Sequence, residues 1–226
     1  MPVLISPSVL AADLACLADE IARAVEGGCD RFHVDIMDHH FVPNLSFGPV
    51  MVETIRRLTD RPIDVHLMVD NPGDMIDSFA GAGADSITVH VEVVPVDPVL
   101  DKIEAKHIAR GLSFRPDTPT GSLAPFMDRI DIALVMSVYP GFGGQRFIED
   151  SYGRIRELAD AASRFPRPPI ISVDGGVDLS NAPLLAAAGV TCLVAGSSVF
   201  RNHGAASNVV KMREAMPQCY AMPVPT

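Results

Sequence analysis

Short apolar, β-branched segments recur along the whole chain, and each is followed by a stretch with helical periodicity. Residues 3–6, 31–36, 63–68, 86–91, 109–114, 132–138, 170–173 and 192–195 read as strands. Runs this continuously apolar suit strands buried on both faces, as in a parallel sheet covered by helices. Residues 13–25, 50–58, 72–82, 97–106, 148–162, 179–188 and 205–215 read as helices, and a further helix at 121–128 completes the alternation. A faint repeat supports the count: Gly27-Gly28-Cys29-Asp30, Gly81-Ala82-Gly83-Ala84-Asp85 and Ala188-Gly189-Val190-Thr191 each close a helix and open a strand, where glycine suits a left-handed C-cap. Eight such units without a linker predict an α/β fold, a single-domain (β/α)8 TIM barrel over residues 1–216, with 217–226 as a C-terminal tail. A doubly wound open sheet is the competing topology, but Ser6-Pro7-Ser8-Val9-Leu10 stands where its G-x-G-x-x-G turn would follow the first strand.

Charge and cysteine usage narrow the partners. The chain sets 28 carboxylates against 18 basic side chains for a net charge of -10 and has no basic run, so nucleic acid is not an expected partner. A chain of 226 residues buries roughly 70–75% of its unfolded surface, enough for a core without disulfides. Cys16, Cys29, Cys192 and Cys219 lack C-x-x-C or zinc-site spacing and read as reduced thiols. The opening residues lack a basic n-region and long apolar h-region, and no apolar run is long enough to span a membrane. A cytoplasmic protein without membrane contact is expected.

In a barrel of this kind, chemistry sits at the C-terminal ends of the strands. His33 and Asp35 close the second strand, two residues apart and so on one face about 7 Å from each other. His66 closes the third strand and Asp174 the seventh. Each alone reads as readily as a hydrogen-bonded core histidine or a capping carboxylate. Together they form a mixed nitrogen and oxygen set for a divalent metal, with zinc, iron(II) and manganese all compatible.

Glycines mark the other half of the mouth: Pro140-Gly141-Phe142-Gly143-Gly144 after the sixth strand, Gly175-Gly176 after the seventh, and Gly196-Ser197-Ser198 after the eighth. Without a Cβ, backbone amides can approach an anion closely, and the loops after strands seven and eight form the recurring phosphate site of this fold. Any one cluster could be an ordinary turn; three on consecutive loops point to an anion. Met37, Met68 and Met136 at strand ends read either as gap-filling core or as an apolar rim that excludes water.

At these residues the chain resembles the ribulose-phosphate 3-epimerase family, over about residues 3–213. The matching segments are Pro7-Ser8-Val9-Leu10, His33-Val34-Asp35-Ile36-Met37-Asp38 running on to His40-Phe41-Val42-Pro43-Asn44, Asp64-Val65-His66-Leu67-Met68, Pro140 to Gln145, Val173-Asp174-Gly175-Gly176-Val177, and Val194-Ala195-Gly196-Ser197. The resemblance implies a TIM barrel with a divalent metal on His33, Asp35, His66 and Asp174. It also implies substrate contacts at Ser8, His66, Gly141, Phe142, Gly143, Gly144, Gly175, Gly176, Val177, Gly196 and Ser197. The implied substrate is a phosphorylated ketose, D-ribulose 5-phosphate interconverting with D-xylulose 5-phosphate. Inverting C3 of a 2-ketose means removing a proton beside the carbonyl and returning one to the opposite face. Asp35 and Asp174 are therefore expected as the catalytic pair, one acting as base and the other as acid, exchanging roles in reverse.

Four positions depart from the family pattern. His39 stands where glycine is usual, Arg115 where Asn or Lys precedes Pro116, Tyr139 where a smaller or acidic residue precedes Pro140, and Ser172 where Glu or Gln precedes Val173. None is a proposed metal ligand, so the reaction class stands, while a hexulose 6-phosphate or another ketose phosphate remains an alternative substrate. The decarboxylase and aldolase group of phosphate-binding barrels resembles this family in fold but carries Asp-x-Lys-x-x-Asp on strand two, and Asp35-Ile36-Met37-Asp38 has no lysine. A non-catalytic sugar-phosphate-binding module would need the anion contacts but not an acid-base pair on opposing walls. A homo-oligomer is expected for the fold.

Overall fold

Every β-branched run identified above becomes a strand, and all of them pair in parallel. In the computed structural model, which describes residues 2–93 and 95–216, these are β1 Leu4–Pro7, β2 Phe32–Met37, β3 Ile63–Met68, β4 Ser86–His90, β5 Ala109–Phe114, β6 Ile132–Met136, β7 Ile170–Asp174 and β8 Cys192–Ala195. The ladder runs β1-β8-β7-β6-β5-β4-β3-β2. A single parallel bridge between Ser8 and His33 joins its two ends and brings the sheet close to a complete barrel. The chain is thus one (β/α)8 TIM barrel. The expected tail at 217–226, with Cys219, lies outside the described residues.

The helices are α1 Leu17–Glu26, α2 Pro49–Leu58, α3 Pro72–Gly81, α4 Val96–Glu104, α5 Ser151–Ala162, α6 Ala182–Ala188, α7 Ser197–Phe200 and α8 Ala205–Ala215. The helix expected at 121–128 is instead a 3-10 segment, Thr120–Phe126. Pro125 lies inside it, and a proline there lacks the N–H that an α-helix would need. Expected helix starts at 13, 148 and 179 also move inward. Asp13 caps a separate 3-10 turn through the Ala15 N–H, Ile148 donates its N–H to Ser137 O beyond β6, and Asp178 accepts the N–H groups of Ser180 and Asn181 in a turn of its own. The short α7 was not anticipated. One glycine in each repeat is left-handed as expected, Gly28, Gly83 and Gly189, whereas Gly27 is right-handed and Gly81 still lies within α3.

Alternation along each strand separates two environments. Phe32, Val34 and Ile36 of β2, with Ile63, Val65 and Leu67 of β3, join the continuous apolar core between barrel and helices. The alternate residues meet inside the barrel, where the β2–β5 side is polar: His33, Asp35, Asp64, His66, Ser86, Thr88, His90 and Ser113 are all buried. Space there is tight enough to require Gly111, because a Cβ at that position would lie 2.1 Å from Thr88 Oγ1. Opposite, Leu134, Met136, Val138 and Val194 form a small apolar cluster. A hydrogen-bonded wall facing an apolar one is what places the site.

Candidate active site

Parallel register puts Asp35 beside His66 and His33 beside Asp64, so four polar side chains meet on two adjacent strands. Asp35 Oδ1 lies 3.2 Å from both His33 Nε2 and His66 Nδ1. Asp174 reaches the same point from β7, and ligand atoms of His33, Asp35, His66 and Asp174 all lie within 4.8 Å of one another. Edges of 3.2 Å match a coordination shell with bonds of about 2.0–2.1 Å.

Several observations make this group suited to a divalent cation. His33 Nε2 is buried and, despite its nearness to Asp35, has no hydrogen-bond partner. His33 Nδ1 meets Asp64 Oδ2 at 2.9 Å, an outer contact that fixes a ligating histidine and leaves its other nitrogen free. Asp64 is in turn held by Ser86 Oγ at 2.5 Å and Thr88 Oγ1 at 3.2 Å, with Arg31 donating to Ser86 Oγ at 2.8 Å. The buried carboxylates of Asp35 and Asp64 and the half-buried one of Asp174 converge on a region that calls for positive charge. Burial opposes a charged His33, yet the charges and hydrogen bonds of Asp35 and Asp64 outweigh it and hold the imidazole well above its usual range.

The two catalytic candidates sit in contrasting environments. Asp35 is buried, which by itself disfavours its charge, but His33 and His66 more than offset this and hold its carboxyl below the ordinary range. Its second oxygen, Oδ2, accepts a 2.7 Å bond from Ser8 Oγ. Asp174 is pushed up to about 6, first by burial and then by the Asp35 charge. Carboxyls driven apart in this way can serve as base and acid.

Both carboxylates line a cavity of ≈ 590 Å³, counted to its open mouth. Met37, Met68 and Met136 cover part of its wall, and Met37 and Met68 pack with Val42. Ser8, Gly141, Phe142, Gly143 and Gly144 line it, as do Gly175, Gly176, Val177, Gly196 and Ser197. His33 and His66 do not reach the lining and are fully buried behind it. The glycine loops have the backbone that their composition foretold: Gly141, Gly144, Gly175 and Gly176 all have positive φ. A Cβ on Gly176 would lie 2.5 Å from Phe147 N. Ser137 Oγ donates to the carbonyls of Asp174 and Gly175 and shapes the turn that carries Asp174.

Loops from β2 and β5 frame the mouth. Asp38 accepts the N–H groups of His40 and Phe41 with one oxygen and that of Asp70 with the other. His39 takes the left-handed conformation at φ 63, which accounts for glycine being usual there. Arg115 donates to Phe41 O at 3.0 Å and stacks 4.1 Å over the Phe41 ring, bracing that loop from outside. Tyr139 is 54% exposed and off the cavity lining, whereas Ser172 is buried in β7. Three polar residues behind the site went unassigned in the sequence: Asp64, His90 and Glu92. Their signal was available, because Asp64-x-His66 and His90-x-Glu92 repeat at strand ends the spacing that singled out His33-x-Asp35.

The chain is similar to known proteins over most of its length. The sequence model of the Ribulose-phosphate 3 epimerase family matches residues 4–200. The ribulose-phosphate 3-epimerase of Bacillus subtilis is 42% identical over 198 residues, 87% of this chain and 91% of that protein. The Escherichia coli K12 ribulose-phosphate 3-epimerase is 43% identical over 87% of this chain and 88% of its own, and the chloroplastic ribulose-5-phosphate-3-epimerase of Arabidopsis thaliana 40% over 88% and 72%. Among solved structures, KGPDC from Streptococcus mutans superposes with a TM-score of 0.68 at 17% identity over 95% of this chain and 97% of its own, a likeness of fold alone. No helix among the described residues is long and apolar enough to cross a membrane. The chain belongs to the ribulose-phosphate 3-epimerase family.

Proposed function

We propose that this enzyme interconverts D-ribulose 5-phosphate and D-xylulose 5-phosphate by inverting C3, with Asp35 and Asp174 exchanging protons with the two faces of the substrate. The observation that carries the reading is the pair of carboxylates, from β2 and β7, lining one cavity beside two buried imidazoles. A base that takes the C3 proton from one face cannot easily return it to the other, so two groups on separate strands suit the reaction. Ser8 holds Asp35 Oδ2 while His33 and His66 face Oδ1. This division leaves the ionised carboxylate in a fixed orientation for proton removal. The Asp174 carboxyl, which holds a proton more readily than an ordinary carboxyl, delivers hydrogen from the opposite side, and the roles exchange in reverse.

His33, Asp35, His66 and Asp174 would hold a divalent cation, zinc, iron(II) or manganese. Such an ion supplies Lewis-acid stabilisation of negative charge developing on the ketose oxygens. The methionine wall excludes water from the proton path. The loops at Gly141–Gly144, Gly175–Val177 and Gly196–Ser197 take the phosphate through backbone amides, an arrangement available to an acidic protein without lysine at the site. Cytoplasmic residence is supported by Cys16, Cys29 and Cys192, which all remain free thiols among the described residues.

Purified enzyme, replete with metal, is assayed on ribulose 5-phosphate, xylulose 5-phosphate and a hexulose 6-phosphate. Asp35→Asn and Asp174→Asn should each lower epimerisation by about 10²–10⁴-fold with the fold intact. Full activity in either variant refutes the two-carboxylate assignment, and a preference for the hexulose substrate refutes the pentulose one.

A further inference from the structure

Two polar residues on and just beyond the end of β4 stand outside the four-ligand group yet are connected to it. His66 turns Nδ1 toward Asp35 and Nε2 the other way, to 3.0 Å from His90 Nε2 and 3.3 Å from Ser113 Oγ. His90 places Nδ1 3.1 Å from Glu92 Oε2. Both imidazoles are fully buried, and their rings meet edge to edge with planes 21° apart and centroids 5.1 Å apart. Glu92 Oε1 accepts the backbone N–H of Arg115 at 2.8 Å and the Thr118 hydroxyl.

Traced from Glu92, and with a cation at the ligand group, the donors and acceptors in this chain give one placement of the protons. Ionised carboxylate oxygens only accept, so His90 Nδ1 carries the proton that Glu92 receives. A neutral imidazole has one N–H, which leaves His90 Nε2 bare and able to accept from His66 Nε2–H. Ser113 agrees with this direction. Its hydroxyl donates to Val89 O at 3.3 Å, so its oxygen offers a lone pair to the same His66 N–H. His66 Nδ1 is then unprotonated and lies 3.2 Å from the ionised Asp35 Oδ1, two acceptors that only a cation between them would reconcile.

We propose that His90 and Glu92 are positioning residues of the candidate metal centre: Glu92, acting through His90, holds His66 in the tautomer whose Nδ1 lone pair faces the cation. The inference rests on the metal reading given under Proposed function. Asp64 does the same for His33 directly, and here one further imidazole is interposed. Glu92 is anchored to the segment after β5, where Arg154 grips the carbonyls of Arg115 at 2.6 Å and Thr118 at 3.0 Å. The segment joining β5 to β6 thus helps set the orientation of a ligand on β3.

Glu92→Gln tests the chain of contacts. Arg115 N–H and Thr118 O–H both require the oxygen of the new amide, so its NH₂ faces His90 Nδ1. That reverses both rings and turns His66 Nδ1–H toward the ligand group. Two readouts need no turnover: long-range ¹H–¹⁵N spectra of the zinc-loaded protein, which report which ring nitrogen is protonated, and zinc affinity by competition with a chromophoric chelator. In the wild type, His66 should be protonated on Nε2 and His90 on Nδ1 alone. Glu92→Gln should stay folded, with native circular dichroism and a lowered melting temperature, while zinc binding weakens about 10–100-fold, and Glu92→Asp should recover part of the affinity.

A folded Glu92→Gln protein binding zinc within twofold of wild type overturns the proposal and leaves the metal reading standing. Wild-type spectra with the His66 proton on Nδ1, or with His90 doubly protonated, overturn it without any variant, which covers a substitution that fails to fold. Wild-type protein that binds no divalent cation overturns the metal reading and this inference with it.

Discussion

Asp64 touches neither the cavity nor the proposed substrate, yet replacing it with asparagine should disable the ligand group. Its Oδ1 accepts from Ser86 Oγ and Thr88 Oγ1, and Oδ2 faces His33 Nδ1. Because Arg31 already donates to Ser86 Oγ, the Ser86 hydroxyl proton is directed at Asp64. In Asp64→Asn the amide oxygen is therefore held by Ser86 and Thr88, and the NH₂ confronts His33 Nδ1. Two donors cannot face each other in a buried site, so His33 moves its proton to Nε2, the nitrogen that should carry the cation's lone pair. Loss of such an outer contact costs about 10–100-fold in metal affinity, or roughly 1.4–2.8 kcal/mol. Asp64→Ala is a harsher change, stranding three buried donors at about 1–3 kcal/mol each, enough to threaten folding. The informative variant is thus asparagine, assayed by chelator competition alongside thermal melting. A folded Asp64→Asn protein that binds metal as tightly as wild type would refute the tautomer reasoning.

Other consequences can be checked separately. A strong chelator should abolish epimerisation and added zinc, iron(II) or manganese should restore it; activity indifferent to chelation contradicts the metal role. Gly176→Ala combines positive φ with a Cβ 2.5 Å from Phe147 N, so it should destabilise the protein by about 1–3 kcal/mol and raise KM for the phosphorylated substrate more than it lowers kcat. Unchanged KM in a thermally weakened protein would remove that loop from the anion site. Burial opposes ionised Glu92, but the bonds from His90, Arg115 N–H and Thr118 more than compensate and hold its carboxyl near 2, against 4.5 ordinarily. Its folded pKa is depressed, so its stabilisation is fully present above about 4.5 and is lost as pH falls toward 2. Denaturant titrations should therefore find the stability gap between wild type and Glu92→Gln narrowing across that window; a gap independent of pH counts against the ionised contact.

The barrel was legible because its signal is distributed. Each of the eight apolar runs had to be buried on both faces, and no single misjudged boundary could change that pattern. The boundaries shifted where local chemistry overruled periodicity: Pro125 turned an expected helix into a 3-10 segment, and Asp178 captured two N–H groups before α6 could start. The four candidate ligands stood out as polar residues interrupting apolar strands, and the glycine loops as clusters on consecutive connections. Asp64, His90 and Glu92 were less visible, since their role depends on which strand neighbours which. Only the register of β3 with β2 and of β4 with β5 makes Asp64 a partner of His33 and sets His90 beside Ser113 under His66. Arg115 reads from sequence as either an influence on substrate preference or drift at the rim, and in the structure its side chain is spent on Phe41 and its backbone N–H on Glu92.

The origin of the hydrogen delivered to C3 tests the account most directly. Ribulose 5-phosphate is converted in heavy water, the reaction is stopped after a small fraction of one equilibration, and the xylulose 5-phosphate formed is examined by NMR. Separate carboxyls on β2 and β7 predict a product deuterated at C3 from the first turnovers, while unreacted substrate stays largely protiated. Product that retains the original C3 hydrogen would mean that one group carries it between faces, and the paired roles of Asp35 and Asp174 would be wrong.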